Sequence, residues 1–326
     1  VRKTLQQQIS ANRNLSLLYC LLLVVLLAAL GAPIAGYFDP ELWPWGVAGA
    51  GLLGLVVALV SWRAGPRLVL RVSQARNARP IELQRLGNVA EEMAIAAGIP
   101  VPQVYLIDDS AANAFATGRG PREGVVVFTT GLVEKLDRDE LQGVMAHEIA
   151  HIRNNDIRLM TTLAIVAGLI PLLADFYLRM IWWGGRGRSR GNNQGAAILA
   201  LIGLALAILA PVFAKILELA VSRRREYMAD ATAAELTRYP EGLARALDKI
   251  SGDRDVLEVA NRATEHLYIV NPFKPFETRA RSMFSTHPPI QDRIARLRQM
   301  AGAHAQPAPS DEITPREGAP GRVPPS

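Results

Sequence analysis

Four apolar runs punctuate the chain, and the residues between them alternate polar and apolar positions over shorter periods. The first run, 15–35, and the second, 45–62, each have the length of a bilayer-crossing helix. The first is too long for a signal-peptide core, and no small-residue cleavage site follows it cleanly. Trp45 and Trp62 bracket the second run, where interfacial aromatic rings are expected. Residues 36–44 between the runs hold Asp39 and Glu41 and no Lys or Arg, whereas Arg2, Lys3 and Arg13 precede the pair and Arg63, Arg67, Arg71, Arg76 and Arg79 follow it. Positive flanks stay cytoplasmic, so both ends of this hairpin are expected on the cytoplasmic side.

Residues 81–155 carry shorter patterns. Helical periodicity over 81–97 stops at Gly98 and Pro100. Segments 104–107, 113–117 and 125–129 read as strands. Asp137 with Glu140 three residues later is a capping box that opens the next helix. Two further apolar runs lie at 161–174 and 196–214. The first spans a bilayer only if it extends to residue 183, with Asp175 and Arg179 then near an interface. Two crossings would put Arg179, Arg186, Arg188 and Arg190 outside, against the charge rule; a hairpin that dips without crossing would not. Two crossings is the preferred reading, and either returns the chain to the side where Arg223, Arg224 and Arg225 stand. From 301 to 326, Pro, Ala and Gly dominate, as in a disordered tail.

Composition agrees with a membrane protein: 50% of the 326 residues are hydrophobic and 6% aromatic, and mean hydropathy is +0.14. The net charge of +6 comes from arginines that flank apolar runs and do not interleave with aromatics. That pattern suits anionic lipid and argues against nucleic acid. A single cysteine, Cys20, permits no intramolecular disulfide, which fits a reducing compartment.

The capped helix carries His147-Glu148-Ile149-Ala150-His151, two imidazoles one turn apart flanking a glutamate. That spacing suits one tetrahedral metal, with Glu148 beside its open position as a base for water. The motif arises by chance in many chains, but two of only five histidines fall in it here. A third ligand is required. Asn154 and Ile157 occupy the places where a metzincin would need Gly and His, which excludes that solution. Glu226 is the best carboxylate candidate, with Asp230 one turn on as a partner for a ligating imidazole. An ordinary ion pair of Glu226 with Arg223 is the plain alternative.

The His147–His151 motif with Asp156, Arg225-Glu226-Tyr227-Met228-Ala229-Asp230, Asn113-Ala114-Phe115-Ala116-Thr117-Gly118 and Ser285-Thr286-His287-Pro288-Pro289 together resemble the HtpX family of bacterial membrane metalloproteases, relatives of the CaaX prenyl proteases. The likeness runs from the first hairpin to about residue 297. It implies a mainly α-helical integral membrane protein with a cytoplasmic α+β zincin-like (gluzincin) domain. The organisation expected is an N-terminal hairpin over 1–80, a protease domain over 81–300 interrupted by the 161–183 and 196–214 segments, and the tail. His147, His151 and Glu226 are then ligands of one Zn2+ per chain, Glu148 is the general base, and Asp230 stands behind a ligand. Asp156 matches a motif position, either orienting a ligand or capping the helix. His287 and Arg293 resemble a pair that approaches the scissile carbonyl, although His287 also suits an ordinary His-Pro-Pro helix start. Asn113, Ala114, Phe115 and Ala116 resemble an edge strand on which substrate adds as another strand. His266 and His304 receive no role.

The expected function is zinc endoproteolysis of misfolded or damaged membrane proteins at the bacterial inner membrane. Partners would be protein substrates, the bilayer and other membrane proteases, with no nucleic acid. Rival readings are a membrane scaffold with a zinc site and a prenyl-protein-type protease.

Overall fold

The computed structural model describes residues 5–165, 223–260, 264–272 and 287–305, with isolated helical positions at 168, 175, 179, 201, 203 and 204. Apart from residues 161–165 and those positions, the expected membrane segments at 161–183 and 196–214 lie outside the described residues, as does the tail from 306.

Helices α1 (Leu5–Phe38) and α2 (Trp43–Val72) pack as an antiparallel hairpin. Asp39 starts the single 3-10 turn between them, its carboxylate accepting the Glu41 N–H at 2.9 Å. Stretches Asn14–Gly36 and Pro40–Val72 have mean hydropathies of 2.7 and 1.8, and are long and apolar enough to cross a membrane. Leu23, Leu27 and Leu30 are buried, while Leu17, Leu21, Val25, Leu52 and Val60 point outward. Where the helices meet, Gly31 and Gly46 touch backbone to backbone: a Cβ on Gly46 would lie 2.2 Å from the Gly31 carbonyl oxygen.

The second helix departs from the expected 45–62. It continues ten residues past Trp62, about 15 Å, through the arginines assigned to a flank. Tertiary packing explains the extension. Gly65 lies against Thr161 and Ile165, and Val69 is buried with Phe115 and Met160.

The remaining chain forms β1 (Arg76–Asn77), α3 (Pro80–Ala97), β2 (Gln103–Ile107), β3 (Ala114–Gly118), β4 (Gly124–Thr129), α4 (Thr130–Lys135), α5 (Arg138–Arg153) and α6 (residues 156–165). Beyond residue 222 come α7 (Arg223–Thr237), α8 (Pro240–Gly252) and α9 (Ile290–Ala305). Helix α9 therefore runs through 301–305, which composition alone placed in the tail. The three expected strands and the helix ending at Gly98 are present, with Gly98 left-handed at φ 67°. Two-residue β1 is too short to carry a hydrophobic pattern.

The sheet order is β1-β2-β4-β3, with β2 parallel to β4 and β3 antiparallel to it. Strand β3 is thus an edge. One face, with Val104, Leu106, Ala114, Ala116, Val126 and Phe128, packs on α3 and α5. The other, with Phe115, Val125 and Val127, meets α2, α6, Leu257, Leu267 and Tyr268. The domain core and the hairpin extension therefore clasp opposite faces of the same strands.

Candidate metal and catalytic site

Helix α5 begins as the sequence predicts: Asp137 accepts the Glu140 N–H at 2.9 Å, and Glu140 accepts the Asp137 N–H at 2.8 Å. Its buried face carries Val144, Ile149 and Ile152 into the core and places His147, Glu148 and His151 at most 4% exposed. The helix ends at Asn154, and Asn155 takes a left-handed φ of 60°. Asn tolerates that region better than most side chains. The turn brings Asp156 back under α5, where its carboxylate accepts from His151 Nδ1 at 3.1 Å.

Helix α7 lays Ala229, Ala233 and Ala234 in the core, so Glu226 and Asp230, one turn apart, share the face turned to α5. Asp230 accepts from His147 Nδ1 at 3.0 Å. Both imidazoles are thereby held with the proton on Nδ1, leaving their Nε2 lone pairs to converge. These Nε2 atoms stand 3.2 Å apart. Glu226 oxygens lie 3.5 Å from His151 Nε2 and 3.7 Å from His147 Nε2.

Two imidazole nitrogens and one carboxylate at these separations suit a small ion. A tetrahedron with arms of about 2.0–2.1 Å has edges of about 3.3–3.4 Å. The electrostatics point the same way. Burial acts against charge on His151, but Asp156 and Glu226 outweigh it and raise its pKa to about 9; the surrounding carboxylates favour positive charge at this position, whether carried by a proton or by a metal. His147 is lowered, mainly by burial. Burial works against the Glu226 carboxylate, yet His287, Arg293 and His151 hold its pKa well below the ordinary value. Its Oε2 is buried without a hydrogen-bond partner, although Arg293, His287 and His147 ring it at 3.4, 3.6 and 3.7 Å. A metal supplies what that orphaned oxygen lacks. Among the described residues these three are the one group of His, Cys, Asp or Glu close enough to hold a metal.

Glu148 projects from the same helix without joining the triad. Burial pushes its pKa up to about 8, against the pull of His151, and the Ala116 amide beside it lowers it slightly. His287 is buried next to Glu226. Arg293, expected to pair with His287 at the scissile carbonyl, lies 3.4 Å from Glu226 and is held by bonds within the protein. Its Nε and Nη2 donate to Asp230 at 2.9 and 2.7 Å, and its Nη1 donates to the Ile269 carbonyl at 2.8 Å. It lies behind His147, 1% exposed, because Asp230 and a main-chain oxygen claim its donors. His266, which received no role, donates through Nε2 to the Met160 carbonyl at 2.9 Å.

With this geometry the comparison with known proteins becomes specific. The model of peptidase family M48 matches residues 80–301. The chain belongs to that family. Proteins named protease HtpX homolog resemble it along nearly their whole length: that of Thermoanaerobacter pseudethanolicus is 46% identical over 92% of this chain and 99% of its own. That of Dictyoglomus thermophilum is 46% identical over 91% and 95%. The solved structure of S. mikatae Ste24p overlaps 76% of this chain and 57% of its own, at 22% identity and a TM-score of 0.46. The M48 chain described here is a membrane metalloprotease that acts on proteins.

Proposed function

We propose that this M48 protease is a zinc endopeptidase of the bacterial plasma membrane, cleaving misfolded or damaged membrane proteins on the cytoplasmic side. The observation that carries the reading is the buried His147–His151–Glu226 triad, its imidazoles oriented by Asp230 and Asp156 and Glu148 alongside. Zinc suits two imidazoles and one carboxylate with a position left open. When bound there, it supplies a Lewis acid that polarises the scissile carbonyl and brings water's pKa toward neutrality.

The protein groups divide the rest of the work. Glu148 takes a proton from the attacking water and passes it to the leaving amine, a task suited to a buried carboxylate beside the metal-binding triad. Asp230 and Asp156 hold the imidazoles against rotation. His287, 3.6 Å from Glu226, is the group assigned to the developing oxyanion, while Arg293 braces Asp230. The main chain of β3 offers an edge for an extended substrate.

Charge supports the orientation. The acidic turn of the hairpin lies opposite its arginines, which supports a cytoplasmic 81–300 domain in a multi-pass chain. Packing of α2 on the β3 layer keeps the site near the bilayer, which favours membrane-borne substrates.

The test compares wild type, Glu148→Gln and zinc-stripped protein in detergent, with an unfolded substrate and bound zinc measured in parallel. The expected outcome is cleavage by wild type, restored to the stripped sample by zinc, and at least about 10²-fold slower in Glu148→Gln with zinc retained. Equal cleavage by Glu148→Gln would remove the base and with it the mechanism.

A further inference from the structure

Strand β3 alternates the direction of its main-chain groups. The Asn113 carbonyl accepts from the Thr129 N–H at 3.0 Å, toward β4, so the groups of Ala114, Ala116 and Gly118 face the outer edge. The Ala114 end of that edge is already in use. Ile269 donates its N–H to the Ala114 carbonyl at 2.8 Å. The Asn113 carboxamide donates to the Val270 carbonyl at 2.9 Å and accepts the Ala114 N–H at 3.1 Å.

The segment making these bonds is set firmly. Leu267, Tyr268 and Ile269 are at most 3% exposed. The Tyr268 ring meets Phe115 edge-on at 5.2 Å, and the Ile269 carbonyl accepts from Arg293. Two residues along the strand, about 7 Å, the Ala116 amide lies beside Glu148. Among the described residues, no main-chain bond reaches the outward carbonyl of Ala116 or the outward groups of Gly118.

We propose that residues 267–271 are a fixed stop that closes the substrate edge at Ala114, so substrate pairs with β3 on one side of the scissile bond only, along Ala116 to Gly118. The stop is a specificity determinant. Beyond the scissile bond on the Ala114 side, the substrate chain must leave the sheet plane, and its length there contributes little to binding. This rests on the protease reading above. It also reassigns Asn113 and Ala114, expected as substrate contacts, to holding the stop.

The experiment uses the full-length zinc-loaded enzyme in detergent and peptides lengthened one residue at a time on either side of a defined cleavage point. Two added main-chain hydrogen bonds on the open side raise kcat/KM about tenfold, while extension past the first residue on the closed side changes it less than about twofold. Steady gains on both sides through three residues would overturn the stop. Hydrogen exchange of residues 267–271 in Glu148→Gln gives a second reading, with and without bound peptide. Unchanged protection is expected, and loss of protection on binding would show that the segment yields. If wild type cleaves no peptide, the protease reading fails, and exchange with bound peptide still decides the stop.

Discussion

Asp230→Asn separates two jobs that one side chain performs. The carboxylate accepts from His147 and takes a two-pronged grip from Arg293, which is 1% exposed. An Asn side chain can still accept from His147, but its amide then points donor to donor at the guanidinium. Glu226, 3.4 Å away, is the other carboxylate that Arg293 pairs with. Breaking a buried ion pair on one side costs about 3–5 kcal/mol, a large part of the roughly 5–15 kcal/mol that holds a domain folded. Loosening the partner of a ligating His costs about 10–100-fold in metal affinity. Asp156→Asn should match the affinity loss but cost less stability, about 1–2 kcal/mol, because its second partner, Arg225, is 3.6 Å away and more exposed. The double variant Asp230→Asn/Arg293→Met should recover most of the stability and none of the affinity. Denaturant unfolding of the metal-free proteins, with zinc competition against a chromophoric chelator, reads both quantities. A metal-free Asp230→Asn that unfolds with wild type, or a double variant no more stable than the single, would refute the division of labour.

Further outcomes follow from parts outside the site. Gly46→Ala forces α1 and α2 apart and should cost about 1–3 kcal/mol, read as thermal unfolding in micelles; Gly49→Ala, with nothing within 4 Å of the new methyl, serves as the near-neutral control. Asp253 joins the end of α8 to the loop before β3, accepting from the Ala112 N–H at 2.7 Å and from Lys135 at 2.8 Å. Burial alone would raise its pKa, but these donors hold it below the ordinary value. Its contribution is therefore complete above the unfolded value of about 3.9 and is lost as pH falls through the lower folded value. Asp253→Asn should be less stable than wild type by about 1 kcal/mol at pH 7, with the gap closing below about pH 4. A gap independent of pH would disprove the assignment.

Local chemistry was the part of this molecule most readable from its residues. The capping box of α5, the i,i+4 histidines and the i,i+4 pair Glu226 and Asp230 each depend on one helix, whose periodicity alone sets which side chains share a face. The end of α3 at Gly98 is equally local. What escaped were features decided by distant packing. The continuation of α2 through its arginines depends on Thr161, Ile165 and Phe115 waiting below Trp62. The target of Arg293 depends on Asp230 and on a carbonyl 24 residues upstream. Ile269 contributes peptide groups, which every residue has, so no side-chain pattern could single it out. The antiparallel edge position of β3 was suggested only by resemblance, since strand order is not written in any one strand.

The unbroken course of α2 makes the bilayer a mechanical input. From Trp43 to Trp62 the helix rises about 29 Å, close to a typical hydrocarbon thickness, and its last ten residues are bolted to the β3 layer. The backbone contact between Gly31 and Gly46 denies the hairpin the freedom to scissor, so it must answer a thinner membrane by tilting as one lever. A tilt of about 20° would swing the inner end of α2 by about 5 Å, more than the spacing between neighbouring strands. Membrane thickness and lateral tension thus reach the β3 layer, without any messenger other than the helix itself.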